Sequence, residues 1–294
     1  MKRDLQNKIE HSIDVIRKAA HLAERATGMP LWLAFSGGKD SQALYHVAKM
    51  AGVPFEAHMN FTSVDPAEVI RFVRRQYPDV ITHAPKMSIY NMALKKKTLP
   101  TRIARWCCAE FKETAGAGRV TLLGVRKAES VNRSKRQVFE RVHKNPNKRR
   151  QWDFDQFSEH EETMVQCMGN GKEKIVVSPI LDWSDENVWE FLNEVVRVPH
   201  CELYDRGHKR IGCILCPMAS YKQKISEANE FPHVKNKWLE VIRQLKFTHH
   251  TELTPEQRFD WWLSGISINE WIAKNILQLK IDFGQDAECN DPQQ

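Results

Sequence analysis

Leu31-Trp32-Leu33-Ala34-Phe35-Ser36-Gly37-Gly38-Lys39-Asp40-Ser41 runs from an apolar stretch through a glycine turn, and Gln42 to Met50 continues with helix-like spacing. The first five residues read as a short buried strand and the last nine as a helix. A strand that delivers the chain into a glycine turn lets backbone N–H groups approach an anion closely. The following helix points the positive end of its dipole at the same place. Ser36 and Ser41 add hydroxyl donors, Lys39 adds positive charge, and Asp40 can cap the helix or orient a magnesium ion. The G-x-x-x-x-G-K-S/T spacing is absent, so this is a different phosphate loop from the Walker type. Ser36, Gly37, Gly38, Lys39, Asp40 and Ser41 are therefore the expected nucleotide-binding residues.

Working outward, Val53–Phe61, Val80–His83, Val120–Gly124 and Ile175–Val177 read as further strands. Helices are expected after Asp65-Pro66, where a carboxylate cap precedes a proline in the first turn, and over Asn187–Val196 after Asp182-Trp183-Ser184-Asp185-Glu186. Strands alternating with helices imply an α/β fold with a doubly wound parallel sheet. Upstream, Leu5, Ile9, Ile13, Ile16, Ala20 and Leu22 recur at helical spacing, ended by Gly28-Met29-Pro30. From about Phe231 the chain is helical and carries Trp238, Trp261, Trp262 and Trp271, read as core. The expected organisation is an N-terminal helix over 1–27, a nucleotide-binding domain over 28–220, and a helical region with a tail over 221–294. Within the domain, 132–173 reads as a basic insertion: Arg133, Lys135, Arg136, Arg141, Lys144, Lys148, Arg149 and Arg150, then an acidic patch at Glu159, Glu161 and Glu162. Cations mixed with Trp152 and Phe154 suit a nucleic-acid backbone and exposed bases, and a solvated loop fits equally well.

The chain of 294 residues is 41% hydrophobic and 28% charged, the composition of a soluble globular protein. No stretch approaches the roughly 18 apolar residues of a membrane helix, so no membrane partner is expected. The first 28 residues are charged throughout and lack an apolar signal core, which places the expected location in the cytoplasm. A net charge of +7 points to an anionic partner without naming it. Seven cysteines in such a chain are not a disulfide framework, and clustered ones point to a metal or a cluster. Two pairs stand out, Cys107-Cys108 and Cys213-Ile214-Leu215-Cys216. C-x-x-C sets two thiolates on one side of a tight turn, which suits a tetrahedral metal or one face of an iron–sulfur cube. Adjacent cysteines are poor ligands for one small ion but can reach different irons of a cluster. Four thiolates also suit zinc, so the count alone leaves both open. Cys167 and Cys201 read as buried or incidental, and no histidine arrangement supports a zinc hydrolase.

The S-G-G-x-D-S pattern after the first strand resembles the PP-loop of ATP pyrophosphatases. That resemblance implies that the loop holds the pyrophosphate end of ATP–Mg²⁺ while the α-phosphate is attacked. Four further segments come in the order of the phosphoadenosine phosphosulfate reductase family. They are Thr101-Arg102-Ile103-Ala104-Arg105-Trp106-Cys107-Cys108, Gly124-Val125-Arg126 with Glu129-Ser130 and Arg133, Asp185 to Leu192, and Arg210-Ile211-Gly212-Cys213 to Pro217. The resemblance covers residues 30–220 and places Arg126 and Arg133 at the nucleotide. It also implies a [4Fe–4S] cluster on Cys107, Cys108, Cys213 and Cys216, as in adenylylsulfate reductases and the PP-loop component of DNA phosphorothioation systems, with zinc as the alternative. Reductases of this kind use a cysteine in a Glu-Cys-Gly-(Ile/Leu)-His tail. Here Glu288-Cys289-Asn290-Asp291 keeps the Glu-Cys pair but lacks the glycine and the histidine. Flanking carboxylates also make the Cys289 thiol harder to ionise.

Three functions follow as expectations. The first is an enzyme that adenylates an acceptor at the expense of ATP, with Lys39 and Asp40 in the chemistry, for sulfur transfer to an acceptor that includes nucleic acid among its classes. A separate protein would supply sulfur or electrons. The second is a sulfonucleotide reductase that releases sulfite through Cys289. The third is a nucleic-acid-binding module stabilised by zinc. An intact loop beside an incomplete tail favours the first.

Overall fold

A computed structural model of the chain describes residues 3–143, 145–168 and 173–277. They fall into two compact units, one within Met1–Pro85 and Glu110–Gly212, the other within Lys86–Ala109 and Cys213–Gln294. In chain order the elements begin with α1 (Arg3–Thr27), β1 (Leu31–Ala34), α2 (Lys39–Ala51), β2 (Phe55–Asn60), α3 (Ala67–Gln76) and β3 (Ile81–His83). Then come α4 (Ile89–Lys96), α5 (Trp106–Cys108), β4 (Thr121–Leu123), α6 (Val131–Ser134), β5 (Phe139–Val142), β6 (Arg150–Trp152), α7 (Phe157–Met168) and β7 (Lys174–Val177). The last are α8 (Asp185–Glu190), α9 (Tyr221–Glu230), α10 (Pro232–Gln244), α11 (Pro255–Ser264) and α12 (Ile268–Ile272).

The first unit is built on a seven-stranded sheet of order β3-β2-β1-β4-β7-β5-β6. Its first five strands are mutually parallel, as the alternation of strands and helices implies. Leu33 lies opposite Ala57 on one side and Leu122 on the other, which puts the strand leading into the glycine loop in the middle of the sheet. The crossing helices bury their apolar stripes against it: Leu5, Ile9, Ile16 and Leu22 of α1 are at most 2% exposed. Burying each such side chain stabilises the fold by about 1.5–3 kcal/mol.

The basic insertion is ordered structure rather than a solvated excursion. β5 pairs antiparallel with β7 and with β6, extending the parallel sheet by two strands, and α7 packs beside them. Two of its arginines are matched by carboxylates within hydrogen-bond reach, while the exposed Arg149 and Arg150 donate to backbone carbonyls. Arg136 bonds Glu140, and Arg141 donates from Nε to Glu173 at 2.7 Å. The aromatic rings are also spoken for. Trp152 is 5% exposed, and Phe154 packs against His11 with Lys18 Nζ 3.6 Å from its ring.

The second unit is helical, with α10 packed against α4, α9 and α11. Trp238, Trp262 and Trp271 are buried in it, the first two with ring centroids 4.9 Å apart. Trp262 also donates its Nε1–H to the carbonyl of Pro100 at 2.6 Å. Among the described residues no helix is long and apolar enough to cross a membrane.

Candidate functional site

The glycine loop is held by its own carbonyls. Gly37 O accepts from the Gln42 side chain at 3.2 Å, and Gly38 O accepts from the Gln42 N–H at 3.0 Å and from the Ser41 hydroxyl at 2.8 Å. Ser41 Oγ in turn accepts from the Ser36 N–H at 3.2 Å. With the acceptors tied inward, the N–H groups at the start of α2 are what the loop presents outward. Gly38 caps α2 with no side-chain hydrogen bond, although the first N–H of the helix, that of Lys39, is met by the Tyr204 hydroxyl at 2.8 Å. Gly37 has φ +74°, and a Cβ there would lie 2.8 Å from Val73 Cγ2 and 2.9 Å from Val69 Cγ1. Both the left-handed backbone and the close approach demand glycine.

Beneath the loop lies a four-residue charge lattice. Lys39, 4% exposed, places its Nζ 3.1 Å from Asp185 Oδ1 and 3.5 Å from Asp40 Oδ2. Arg126, 2% exposed, donates from Nε to Asp40 Oδ1 at 2.7 Å, from Nη2 to Asp185, and from Nη1 to the Trp183 carbonyl at 3.3 Å. Burial alone would raise the Asp185 carboxyl, but hydrogen bonds and charge from Lys39 and Arg126 outweigh it and hold it below the usual carboxylate range. Burial likewise disfavours charge on Arg126, and Asp40 and Asp185 together more than restore it. Arg126 reaches this place from the end of β4 because Gly124 lets the strand touch α2. A Cβ at Gly124 would sit 2.9 Å from the Asp40 carbonyl oxygen.

Of the expected nucleotide residues, Ser36 to Ser41 and Arg126 are brought together. Arg133 takes a different partner: it bonds Glu129 one helical turn away, and Glu129 also accepts the Arg126 N–H at 3.0 Å. Two residues of the site were not expected from sequence. Asp185, read only as the start of a helix, is the carboxylate that bridges Lys39 and Arg126. Tyr204 accepts the Lys39 N–H through its hydroxyl at 2.8 Å and packs edge-on to Trp189. A cavity of about 420 Å³ opens beside the loop, lined among others by Ala34, Ser36, Asn60, Leu123, Ile211 and Gly212.

The second unit gathers the two cysteine pairs. Its hydrogen bond to Cys108, burial, and the nearby charges of Cys108, Cys216 and Cys213 all push the Cys107 thiol up. All four side chains are half-buried, and none of the six described cysteines is in a disulfide. The Cys213–Cys216 turn is shaped by Leu215, whose φ of +55° is a costly left-handed conformation for a branched side chain. The Leu215 N–H is pinned by Glu227 Oε2 at 2.7 Å. Among the described residues no three His, Cys, Asp or Glu side chains stand close enough to hold a single ion. Cys167 and Cys201 lie in the first unit, and Cys289 lies outside the described residues.

Residues 30–219 match the phosphoadenosine phosphosulfate reductase domain. Two uncharacterized proteins of Methanocaldococcus jannaschii are similar along the chain. One is 26% identical over 83% of this chain and 55% of its own length, the other 27% identical over 75% and 43%. The chain thus spans about half the length of the curated relatives it matches. Among solved structures, the phosphoadenylyl-sulfate reductase of Candida auris, in a phosphate complex, superposes with a TM-score of 0.45. It is 18% identical and covers 72% of this chain and 96% of its own. The FMN adenylyltransferase of Candida glabrata gives a TM-score of 0.45 at 16% identity, over 72% of this chain and 62% of its own.

Proposed function

This chain belongs to the phosphoadenosine phosphosulfate reductase domain family, and from that premise we propose that it binds ATP–Mg²⁺ on the Ser36–Ser41 loop and adenylates an acceptor. The observation that carries this reading is the charge lattice of Lys39, Asp40, Arg126 and Asp185 under the glycine loop at the start of α2. An attacking nucleophile forms a bond to the α-phosphorus, the bond to the bridging oxygen breaks, and negative charge grows on the departing pyrophosphate. The N–H groups of the loop and the Lys39 ammonium stand where that charge is best stabilised. Asp40 and Asp185 supply carboxylate oxygens for magnesium, a hard cation that prefers them. Lys39 and Arg126 hold the Asp185 carboxyl below the usual carboxylate range, so it need lose no proton when the metal arrives. The 420 Å³ cavity beside Ser36 and Asn60 offers room for the nucleoside.

The thiol set of the second unit suits an iron–sulfur cluster. Four thiols that repel one another when ionised need a cationic body among them, and adjacent cysteines reach different irons of a cluster more easily than they share one small zinc ion. Cys107, Cys108, Cys213 and Cys216 would hold it, and when bound it would supply sulfur binding or electron transfer. Sulfur transfer is the reaction class this combination supports. Nucleic acid as acceptor rests on the net charge of +7 and on the exposed Arg149 and Arg150, because Arg136 and Arg141 of the insertion are matched by glutamates. The second reading, sulfite release from an adenylyl sulfate, is favoured by the family itself and would require Cys289.

The test is anaerobic incubation with ATP, Mg²⁺ and sulfide, measuring AMP and pyrophosphate, with Lys39→Met alongside. Release of both products in equal amounts, lost in the variant, is expected. Sulfite release from an adenylyl sulfate, abolished by Cys289→Ser, with no ATP cleavage, would overturn the proposal.

A further inference from the structure

Gly38 is a glycine for which the backbone gives no reason. Its φ of −79° and ψ of 157° lie in extended space open to any residue. A Cβ there would meet only ordinary contacts: Ser36 Oγ and Tyr204 Oη at 3.5 Å and the Ile211 carbonyl oxygen at 3.9 Å. Its neighbour Gly37 differs, since a φ of +74° and crowding by Val69 and Val73 both require glycine. The missing side chain of Gly38 leaves a small space at the start of α2, with two hydroxyls nearer to it than the one carbonyl.

One of those hydroxyls is only half committed. Tyr204 Oη accepts the Lys39 N–H at 2.8 Å, and among the described residues nothing accepts its own proton. Ser36 Oγ, by contrast, already donates to Ser41 Oγ at 3.2 Å. A hydroxyl that accepts through a lone pair directs its O–H elsewhere, and a donor left unmade away from bulk water is costly. Burial, against the opposing Lys39 N–H, pushes the Tyr204 phenol up, so the proton stays on it at neutral pH. The ring is also held in place. It stands edge-on to Trp189, with centroids 5.0 Å apart, and to His200 at 6.1 Å. Its backbone is tied into a turn, the Tyr204 N–H donating to the Cys201 carbonyl and the Gly207 N–H to the Tyr204 carbonyl, each at 3.0 Å.

We propose that Tyr204 is a further phosphate-binding residue, its O–H donating to a polyphosphate oxygen seated over Gly38 while its lone pair keeps the Lys39 N–H. This rests on the ATP reading above. The first amide of α2 then acts on the phosphate through the phenol. By donating to Tyr204 Oη, that N–H polarises the O–H beyond it, since hydrogen bonds in a chain strengthen one another. An ionised phosphate oxygen as acceptor makes the O–H···O bond charge-assisted, the stronger class of such bonds. Gly38 lacks a side chain because a methyl would stand where the oxygen goes. The loop's own amides and the Lys39 ammonium are thereby joined by a donor from 165 residues away, fixed by the aromatic contact to Trp189 of α8.

The experiment titrates the full chain calorimetrically with Mg²⁺–ATP, Mg²⁺–pyrophosphate and adenosine. It compares wild type, Tyr204→Phe and Gly38→Ala, each checked for folding by circular dichroism. Wild type is expected to bind all three probes. Tyr204→Phe should weaken ATP and pyrophosphate by about 10–100-fold, the scale of losing one hydrogen bond to a charged group, and leave adenosine unchanged. Gly38→Ala should stay folded and weaken pyrophosphate by a similar factor. Pyrophosphate bound by Tyr204→Phe as tightly as by wild type, or more tightly, would overturn the proposal, because the hydroxyl would then be a cap that the anion displaces. An equal loss for adenosine would overturn it too, since the loop itself would have been distorted. Gly38→Ala leaves the Tyr204 ring unaltered and decides alone should Tyr204→Phe not fold, undiminished pyrophosphate binding counting against the proposal. A wild type that binds neither ATP nor pyrophosphate would overturn the ATP reading first and this inference with it.

Discussion

Arg126 Nε donates to Asp40 Oδ1 at 2.7 Å, joining the end of β4 to the first turn of α2 across 86 residues of sequence. The same guanidinium holds Asp185, and Lys39 completes the ring, so two cations and two carboxylates balance one another beneath the loop. An electrically balanced lattice can accept a magnesium ion and a polyphosphate together, since one supplies what the other removes. Arg126 is therefore the residue through which the loop's geometry and its charge depend on the rest of the sheet.

Replacing Arg126 with Met should leave Asp40 and Asp185 with Lys39 alone. Removing one partner from a buried ion pair costs about 3 kcal/mol. Pyrophosphate release should fall about 10²–10³-fold, the scale of losing one preorganised donor. Arg126→Lys should recover little of the activity, because a single ammonium cannot fork to two carboxylates. Urea unfolding and product assays on the two variants check both values. A Lys variant as active as wild type would show that the fork is not needed.

Gly37→Ala should destabilise the fold more than Gly52→Ala, although both glycines have positive φ, +74° and +68°. At Gly52 nothing lies within 4 Å of the added methyl, so only the left-handed backbone is charged, about 1–2 kcal/mol. At Gly37 the methyl also meets Val69 and Val73 at under 3 Å, and such overpacking adds about 1–3 kcal/mol. Val73→Ala in the Gly37→Ala background should return part of that excess. Equal losses at the two glycines in chemical denaturation would contradict the close approach.

The strand, glycine turn and helix at Leu31–Met50 were legible because each depends on neighbours in sequence, and the parallel sheet followed from repeating that unit. Tyr204 was not legible: it meets the Lys39 N–H across 165 residues, and nothing in its local sequence marks a tyrosine for that contact. Asp185 had a signal that pointed elsewhere, since a carboxylate at a helix start is ordinarily explained by the helix dipole. The insertion misled for a related reason. A run of arginines reads as a polar loop when its partners are invisible. Glu173 lies 32 residues beyond Arg141 and closes the pair only once β5 has paired with β7. The gathering of Cys107 with Cys108, Cys213 and Cys216 could be guessed from their spacing, but the Glu227 carboxylate that pins the Leu215 amide between the last two could not.

Stability should depend on pH through His46. Burial first, and the Lys49 charge second, push its imidazole down from 6.5 to about 4. The folded state therefore binds fewer protons than the unfolded state between these values, and stability rises with pH across that window. The contribution is fully present above pH 6.5 and is lost progressively as the pH falls towards 4. His46→Gln keeps a partner for the Tyr77 hydroxyl, which lies 3.1 Å from the ring nitrogen, and removes the titration. Urea midpoints of wild type and variant should run parallel above pH 7 and converge below 6. A constant difference down to pH 4 would rule His46 out as the titrating group.

Iron content should separate the cysteines into two classes. Cys107→Ser, Cys108→Ser, Cys213→Ser and Cys216→Ser should each lose most of the iron, because a serine oxygen is a poor substitute for a thiolate at a soft site. Cys167→Ser and Cys201→Ser lie in the other compact unit and should keep it. Metal binding is also folding energy, so removing iron should loosen the unit that holds the ligands. Hydrogen exchange should then quicken at Leu215, whose amide is held by Glu227 at 2.7 Å in a left-handed turn. The amides of β1 and β4, in the first unit, should be unchanged. Iron retained at wild-type level in Cys213→Ser, with no change in Leu215 exchange, would remove the C-x-x-C turn from the ligand set.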